Sequence, residues 1–327
     1  TTLSNGGAIY NSGDMLIIEN STLSNNTGSG GGAIYSLMDG ISLTDCVIEN
    51  NTGNSHAGSV FINSRGISTI TRSTFSGNTA PRSGAIDNSG NLTITDSTFT
   101  GNSATKYDGG AIRNSNDLTI VGSTFIANSA GWSGGAIESS GNSTDLVIND
   151  SIFKGNTAKN GAALESSGGV TSVINTLITD NRSTEDGAAI NSVSGVSLYL
   201  INSTIAHNRA FEYGAGIHMD SSGTATLYNS IIAKNNSSLG NDDIHFNRED
   251  ILGSYNLIGD ATGLETTSLI LSGIGNLTGT DAAPLDPLFE RLGTAGPDGI
   301  WGTADDVTGD YRLQLDSLAI NSGSNAW

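Results

Sequence analysis

The sequence predicts an all-β fold: a single-stranded parallel β-helix, a solenoid of about nine regular coils followed by an irregular C-terminal cap. Three observations lead there. A small-small-Ala-Ile phrase returns every 25–27 residues, its last apolar residue falling at 9, 34, 60, 86, 112, 137, 164, 190 and 217. A second phrase, apolar-x-x-Asn, runs in phase with it, as in Phe75 to Asn78, Phe99 to Asn102, Phe125 to Asn128 and Phe153 to Asn156. Between them lie short β-branched segments set off by Gly, Asn and Ser. With 44 glycines in 327 residues, helices are disfavoured and short extended segments favoured.

Each element of a coil has its own column. The Gly-Gly-Ala-Ile phrase (Gly6–Ile9, Gly31–Ile34, Gly109–Ile112, Gly134–Ile137) supplies a turn and then a first strand with its Ile turned inward. A second strand carries Ile18, Leu43, Ile70, Ile94, Ile120, Ile148, Val173, Leu200 and Leu227. A polar turn follows at Asn20, Asp45, Arg72, Asp96 and their equivalents, then a small residue: Ser21, Cys46, Ser73, Ser97. Cys46 is therefore read as a buried filler in a hydroxyl column. The third strand holds the Phe or Ile, and the Asn closes the coil. A hairpin meander would not need the same residue type at the same phase in every copy. A spiral does, because successive strands lie about 4.8 Å apart and like rests on like. Ile on Ile fills the interior, and Asn on Asn links side-chain amides along the stack. Residues 1–236 are assigned to this solenoid, roughly 40 Å long by that spacing, and residues 237–327 to less regular coils and loops that close it.

These paired phrases resemble the repeats of the polymorphic outer-membrane protein family of bacteria. That resemblance implies a right-handed helix, exposure at the cell surface and a role in adhesion. Beyond Asn236 the chain reads Tyr255-Asn-Leu-Ile-Gly-Asp260, Asp286-Pro-Leu-Phe289, Tyr311-Arg-Leu-Gln314 and Leu318-Ala-Ile-Asn-Ser-Gly323. This order is similar to the C-terminal region of bacterial choice-of-anchor β-helix surface proteins, although Leu318 and Asn321 stand where that family usually has Pro and Asp. The chain opens directly in patterned sequence, which leads us to expect a segment of something longer.

The residue after each inward apolar position should face outward, since side chains alternate along a strand. That column reads Tyr10, Tyr35, Phe61, Asp87, Arg113, Glu138, Glu165, Asn191 and His218. Its first part is expected to be an exposed aromatic ladder offering flat faces to sugars, with Tyr10, Tyr35 and Phe61 as ligand contacts. Its second part places Asp87, Arg113, Glu138 and Glu165 side by side. Adjacent carboxylates repel and raise one another's pKa, which makes these four the candidates for acid–base chemistry on a polysaccharide. The phrases Asn-Thr-Asp, Gly-His-Gly and Trp-Ile-Asp-His, associated with pectin-degrading enzymes, do not occur. A third group, Asp298, Asp305, Asp306 and Asp310 in a Gly-containing loop, is a candidate Ca²⁺ site, because dense hard oxygen ligands suit that ion.

Composition bounds the function. Thirteen basic and 32 acidic residues give a net charge of −19, which argues against nucleic-acid partners. There is no apolar run long enough for a membrane span. A single Cys leaves no disulfide framework. The reading is a bacterial surface or extracellular structural or adhesive protein whose partners are glycans or other surface proteins, with no enzymatic role assigned. The alternatives are a polysaccharide lyase or hydrolase, and a fibre subunit associating end to end.

Overall fold

A computed structural model describes residues 4–64, 66–141, 144–220, 222–240, 243–246, 251–262, 264, 273–320 and 322–323. The chain winds into a right-handed parallel β-helix. Sheet 1 stacks ten strands from Ile9–Asn11 to Ile244–Phe246, and sheet 2 ten from Leu16–Glu19 to Ile251–Ser254. Sheet 3 stacks eleven, from Thr22–Ser24 to Leu257–Ile258 and Leu277–Thr278, and a narrow fourth column holds nine, from Thr27–Gly28 to Asn236–Ser237. Register follows the repeat: Ile112 pairs with Ile137 and Phe99 with Phe125, always parallel.

Like does rest on like. Phe75, Phe99, Phe125 and Phe153 form one fully buried file, ring centroids 4.7–4.8 Å apart and planes within 7°. Stacked amides line the end of sheet 3. Asn128 Nδ2 donates to Asn156 Oδ1 at 3.0 Å and to the Phe99 carbonyl at 3.0 Å, while its own Oδ1 accepts from the backbone N and Nδ2 of Asn102. Every buried amide in that ladder is thus satisfied by the coils on either side, so the order of one rung enforces the next. The ladder ends on a carboxylate: Asp243 Oδ1 accepts from Asn235 Nδ2 at 2.7 Å, and burial pushes its carboxyl up to about 7. Cys46 is buried in the hydroxyl column, as its position predicts.

Two corners per coil turn through the left-handed region. One is the expected polar column, with Asn20, Asp45, Arg72, Asp96, Asp150, Asn175, Asn202 and Asn229 at φ between 46° and 54°. The other immediately precedes the ladder Asn: Asn25, Asn50, Gly77, Gly101, Ala127, Gly155, Asp180, His207 and Lys234, φ between 53° and 64°.

The strand columns continue past residue 236, so the coiling outlasts the readable phrases. The later residues also do more than follow the last coils. Phe289–Arg291 and Asp310–Leu313 pair antiparallel, and this hairpin lies along the flank of sheet 3. Lys234 Nζ meets Asp286 at 2.6 Å, Tyr311 Oη bonds Thr179 Oγ1 at 2.7 Å and Asp180 at 3.2 Å, and Lys154 Nζ sits 3.5 Å above the Trp301 ring. Residues 286–311 therefore form a strap running back over several coils, where the sequence had suggested a cap over the end.

Candidate functional site

The outward row of sheet 1 turns away from the interior as alternation requires, but it is not an exposed wall. Phe61 is 8% exposed, Asp87 2%, Glu138 7% and Glu165 9%. The cause is the loop that precedes each Gly-Gly-Ala-Ile phrase, which folds over the row. His56 on one such loop lies 3.5 Å from Asp87, Arg82 on the next 3.8 Å from it, and the Asp108 and Asp186 loops add their charges to the same strip. The expected exposed aromatic ladder is corrected accordingly. Tyr10, Tyr35 and Phe61 do stack, at 5.7 and 4.6 Å, but only Tyr10 is exposed, Tyr35 is half-covered and Phe61 is buried against His56.

The charged part of the row is brought together as the phase of the repeat required. Arg113 bridges its neighbours, Nη1 3.5 Å from Asp87 and Nε 3.6 Å from Glu138. Asn191 Nδ2 donates to Glu165 at 2.7 Å, and Asn191 Oδ1 lies 2.6 Å from His218 Nδ1. His218 stacks on His245 at 5.3 Å, and Tyr213 on His245 at 4.6 Å. A line of groups from Asp87 to His245 thus occupies one covered row of sheet 1.

Burial sets its electrostatics. Desolvation raises Glu165 to about 8, against the hydrogen bond from Asn191, with Glu138, Asp108 and Asp186 adding to the rise. Glu138 is raised to about 7 by burial, with Ser140 and Arg113 pulling the other way. Its Oε2 has no hydrogen-bond partner. Burial also holds His218 below its ordinary value. Near neutral pH this strip combines a protonated Glu165, a titrating Glu138, a fixed guanidinium and a neutral imidazole. Such groups can donate or accept a proton, and on adjacent rungs they lie about 4.8 Å apart by strand spacing.

The exposed aromatics stand elsewhere. Tyr107, Trp132 and Phe211 project from the loops between the fourth column and sheet 1, with Trp132 N donating to the Tyr107 carbonyl and Lys159 Nζ 4.2 Å above the Trp132 ring. Sequence reading passed over them because they fall in the variable slots of the repeat. The available signal was a large aromatic where other copies have Pro or a small or polar residue.

The acidic C-terminal loop is tied to itself. Asp298 Oδ1 accepts from Ile300 N at 2.8 Å, Asp306 Oδ2 from Gly302 N at 2.7 Å, and Asp305 Oδ1 from Thr303 Oγ1 at 2.6 Å. Asp310 is held by Arg312 at 2.5 Å, which pulls its carboxyl down to about 2. Among the described residues no group of three or more His, Cys, Asp or Glu is arranged to hold a metal ion.

The closed coils and buried ladders define the class: a right-handed parallel β-helix. Residues 5–178 match the family model described as the right-handed beta helix region, more than half the chain, and the protein belongs to that family. No curated protein and no solved structure matches it.

Proposed function

We propose that this chain is a structural or adhesive β-helix of the bacterial surface or extracellular space, presenting a rigid wall to glycans or neighbouring surface proteins. The observation that carries the reading is the display of exposed Tyr10, Tyr107, Trp132 and Phe211 on a backbone fixed by in-register pairing over ten strands. Rigid amphipathic rings contribute contact area at small entropic loss. The resemblance of the repeats to polymorphic outer-membrane proteins, and of the C-terminal phrases to choice-of-anchor proteins, supports the location. A net charge of −19 favours solubility. A glycan array run with the wild type, Tyr10→Ala and Trp132→Ala tests it. The wild type should bind a defined subset and at least one variant should lose most of the signal. A wild type that retains no glycan and no cell-surface material would overturn the reading.

A second reading, a polysaccharide-degrading enzyme, is favoured by the raised Glu138 and Glu165 pair. Glu138 and Glu165 occupy adjacent rungs, about 4.8 Å apart at the backbone, and retaining glycosidases hold two carboxyls roughly 5–5.5 Å apart. In that reading Glu165, the higher of the two, donates its proton to the leaving oxygen while Glu138, beside Arg113, attacks the anomeric carbon as the carboxylate, and water then hydrolyses the glycosyl-enzyme. Depolymerisation that disappears in Glu138→Gln would establish the enzyme. A panel cut equally by both proteins would dismiss Glu138's role, and a panel cut by neither would dismiss the enzyme.

A further inference from the structure

The fourth column has a break in its chemistry. Its first position reads Thr27, Thr52, Thr79, Ser103, Ser129 and Thr157, then Arg182 and Arg209. The two arginines pair across adjacent parallel strands, with both side chains exposed. Among the described residues neither has a carboxylate within ion-pair distance, in a chain with 32 acidic residues. Like charges on adjacent rungs repel. A hydroxyl column that turns to two exposed arginines on successive coils, neither in an ion pair among the described residues, is not explained by stability.

The break falls where the strap meets the solenoid. A cleft of ≈ 770 Å³ opens between them, with Arg182, Arg209, His207 and Lys234 on the solenoid side and Ile300 and Trp301 on the strap side. A second cleft of ≈ 440 Å³ adjoins it, sharing Arg182, Arg209 and Asn236 and reaching the exposed Phe211. Two arginine forks thus stand at the centre of a trough with an aromatic ring toward each end. Lys234 is engaged by Asp286, and Asp180, which lines the same cleft and is attracted by Arg209, accepts from the Tyr311 hydroxyl, so the two exposed arginines, outside any ion pair among the described residues, are the cations best placed to meet a ligand. Such volumes fall in the range of small-ligand sites.

We infer that this trough binds an anionic polysaccharide, its carboxylate or sulfate groups taken by Arg182 and Arg209 and its sugar faces resting against Trp301 and Phe211. Guanidinium forks match planar carboxylates and sulfates with paired hydrogen bonds. The distance between rungs, about 4.8 Å, lets two arginines engage neighbouring groups of one extended chain. The overall negative charge repels a polyanion at long range, but at physiological salt that field is screened beyond about 8 Å and the local arginines decide. The inference rests on the reading of this protein as a glycan-contacting surface and names a ligand class and a site for it.

The test is calorimetric titration of the whole chain with oligogalacturonate, chondroitin sulfate oligosaccharide and a neutral cello-oligosaccharide at 150 mM salt. One anionic probe should bind and the neutral one should not; which one binds separates carboxylate from sulfate recognition. The double variant Arg182→Gln, Arg209→Gln should weaken binding at least tenfold with an unchanged or higher melting temperature. Tyr10→Ala should leave this binding intact. Absence of binding by both anionic probes, unchanged affinity in the double variant, or equal binding of a single-stranded DNA oligomer would overturn the inference. A wild type that binds neutral glycans through Tyr10 or Trp132, with no arginine dependence, would leave the broader adhesive reading standing while this one falls.

Discussion

Replacing Glu165 by Gln should stabilise the protein, and by more as the pH rises. Glu165 is covered, accepts a hydrogen bond from Asn191 at 2.7 Å, and shares its strip with Glu138, Asp108 and Asp186. Burial first, and those acids after it, lift its carboxyl from 4.5 to about 8. The unfolded chain returns it to 4.5, so above that value unfolding releases a proton and rising pH favours it. The stability carried by the neutral acid is complete below pH 4.5 and is lost as pH climbs through about 8. The full rise corresponds to about 5 kcal/mol. Glu138, itself raised to about 7, is coupled to it, so a single replacement should recover about 2–3 kcal/mol at pH 8.5. At pH 5 the gain should be close to zero. Urea midpoints of both proteins, measured at the two pH values with matched slopes, give the comparison. If the variant is less stable at both, or both proteins respond to pH in parallel, Glu165 is ionised and paired in the native state and the reasoning fails.

Asn128→Ala should cost about 2–4 kcal/mol, because the backbone N–H and side-chain amide of Asn102 and the Phe99 carbonyl all lose a partner in the interior; equilibrium urea unfolding reads it. Gly155→Ala should release the strap. Gly155 has φ +63°, and a Cβ there would come within 2.2 Å of the Trp301 ring. Trypsin should then cut at Arg291 and Arg312 faster than in the wild type while the β-sheet circular dichroism is unchanged, and an unchanged cleavage rate would count against the strap contact.

The coil was legible because each turn repeats one set of physical demands. The stacked Phe file needs the same volume in successive rungs, and the Asn ladder needs the same amide, so both leave a period in the sequence. The proximity of Asp87, Arg113, Glu138 and Glu165 followed from that phase alone. Their covering did not. Alternation along a strand tells which way Glu138 points, whereas its exposure depends on loops of varying length and composition, carrying Arg82, Asp108 and Asp186, that obey no period. The same holds for Trp132 and Phe211: variable slots are where the repeat imposes least, and there the sequence is free to place surface contacts.

The strap was hidden for a subtler reason, and the solenoid itself recorded it. The corner before each ladder Asn demands a left-handed backbone, which Asn and Gly adopt at least strain. The first four coils comply with Asn25, Asn50, Gly77 and Gly101. Of the later corners Gly155 still complies, while Ala127, Asp180, His207 and Lys234 replace the Asn or Gly at φ of 54–64°. The strain is offset by what those side chains touch. His207 meets Phe289 and Tyr311 at 6.2 Å, Asp180 accepts from the Tyr311 hydroxyl, and Lys234 pairs with Asp286. The third position of the sheet 3 strands changes over the same coils, from Ser24, Glu49, Ser76 and Thr100 to Ile126, Lys154, Thr179, Ala206 and Ala233, the last three buried. The Asn or Gly corner is abandoned on three consecutive rungs, Asp180, His207 and Lys234, beside buried Thr179, Ala206 and Ala233, and this marks a surface that something covers. The Arg182–Arg209 pair lies at the margin of that surface, which is why the strap and the trough belong to one device: the strap supplies the second wall that a bare solenoid lacks.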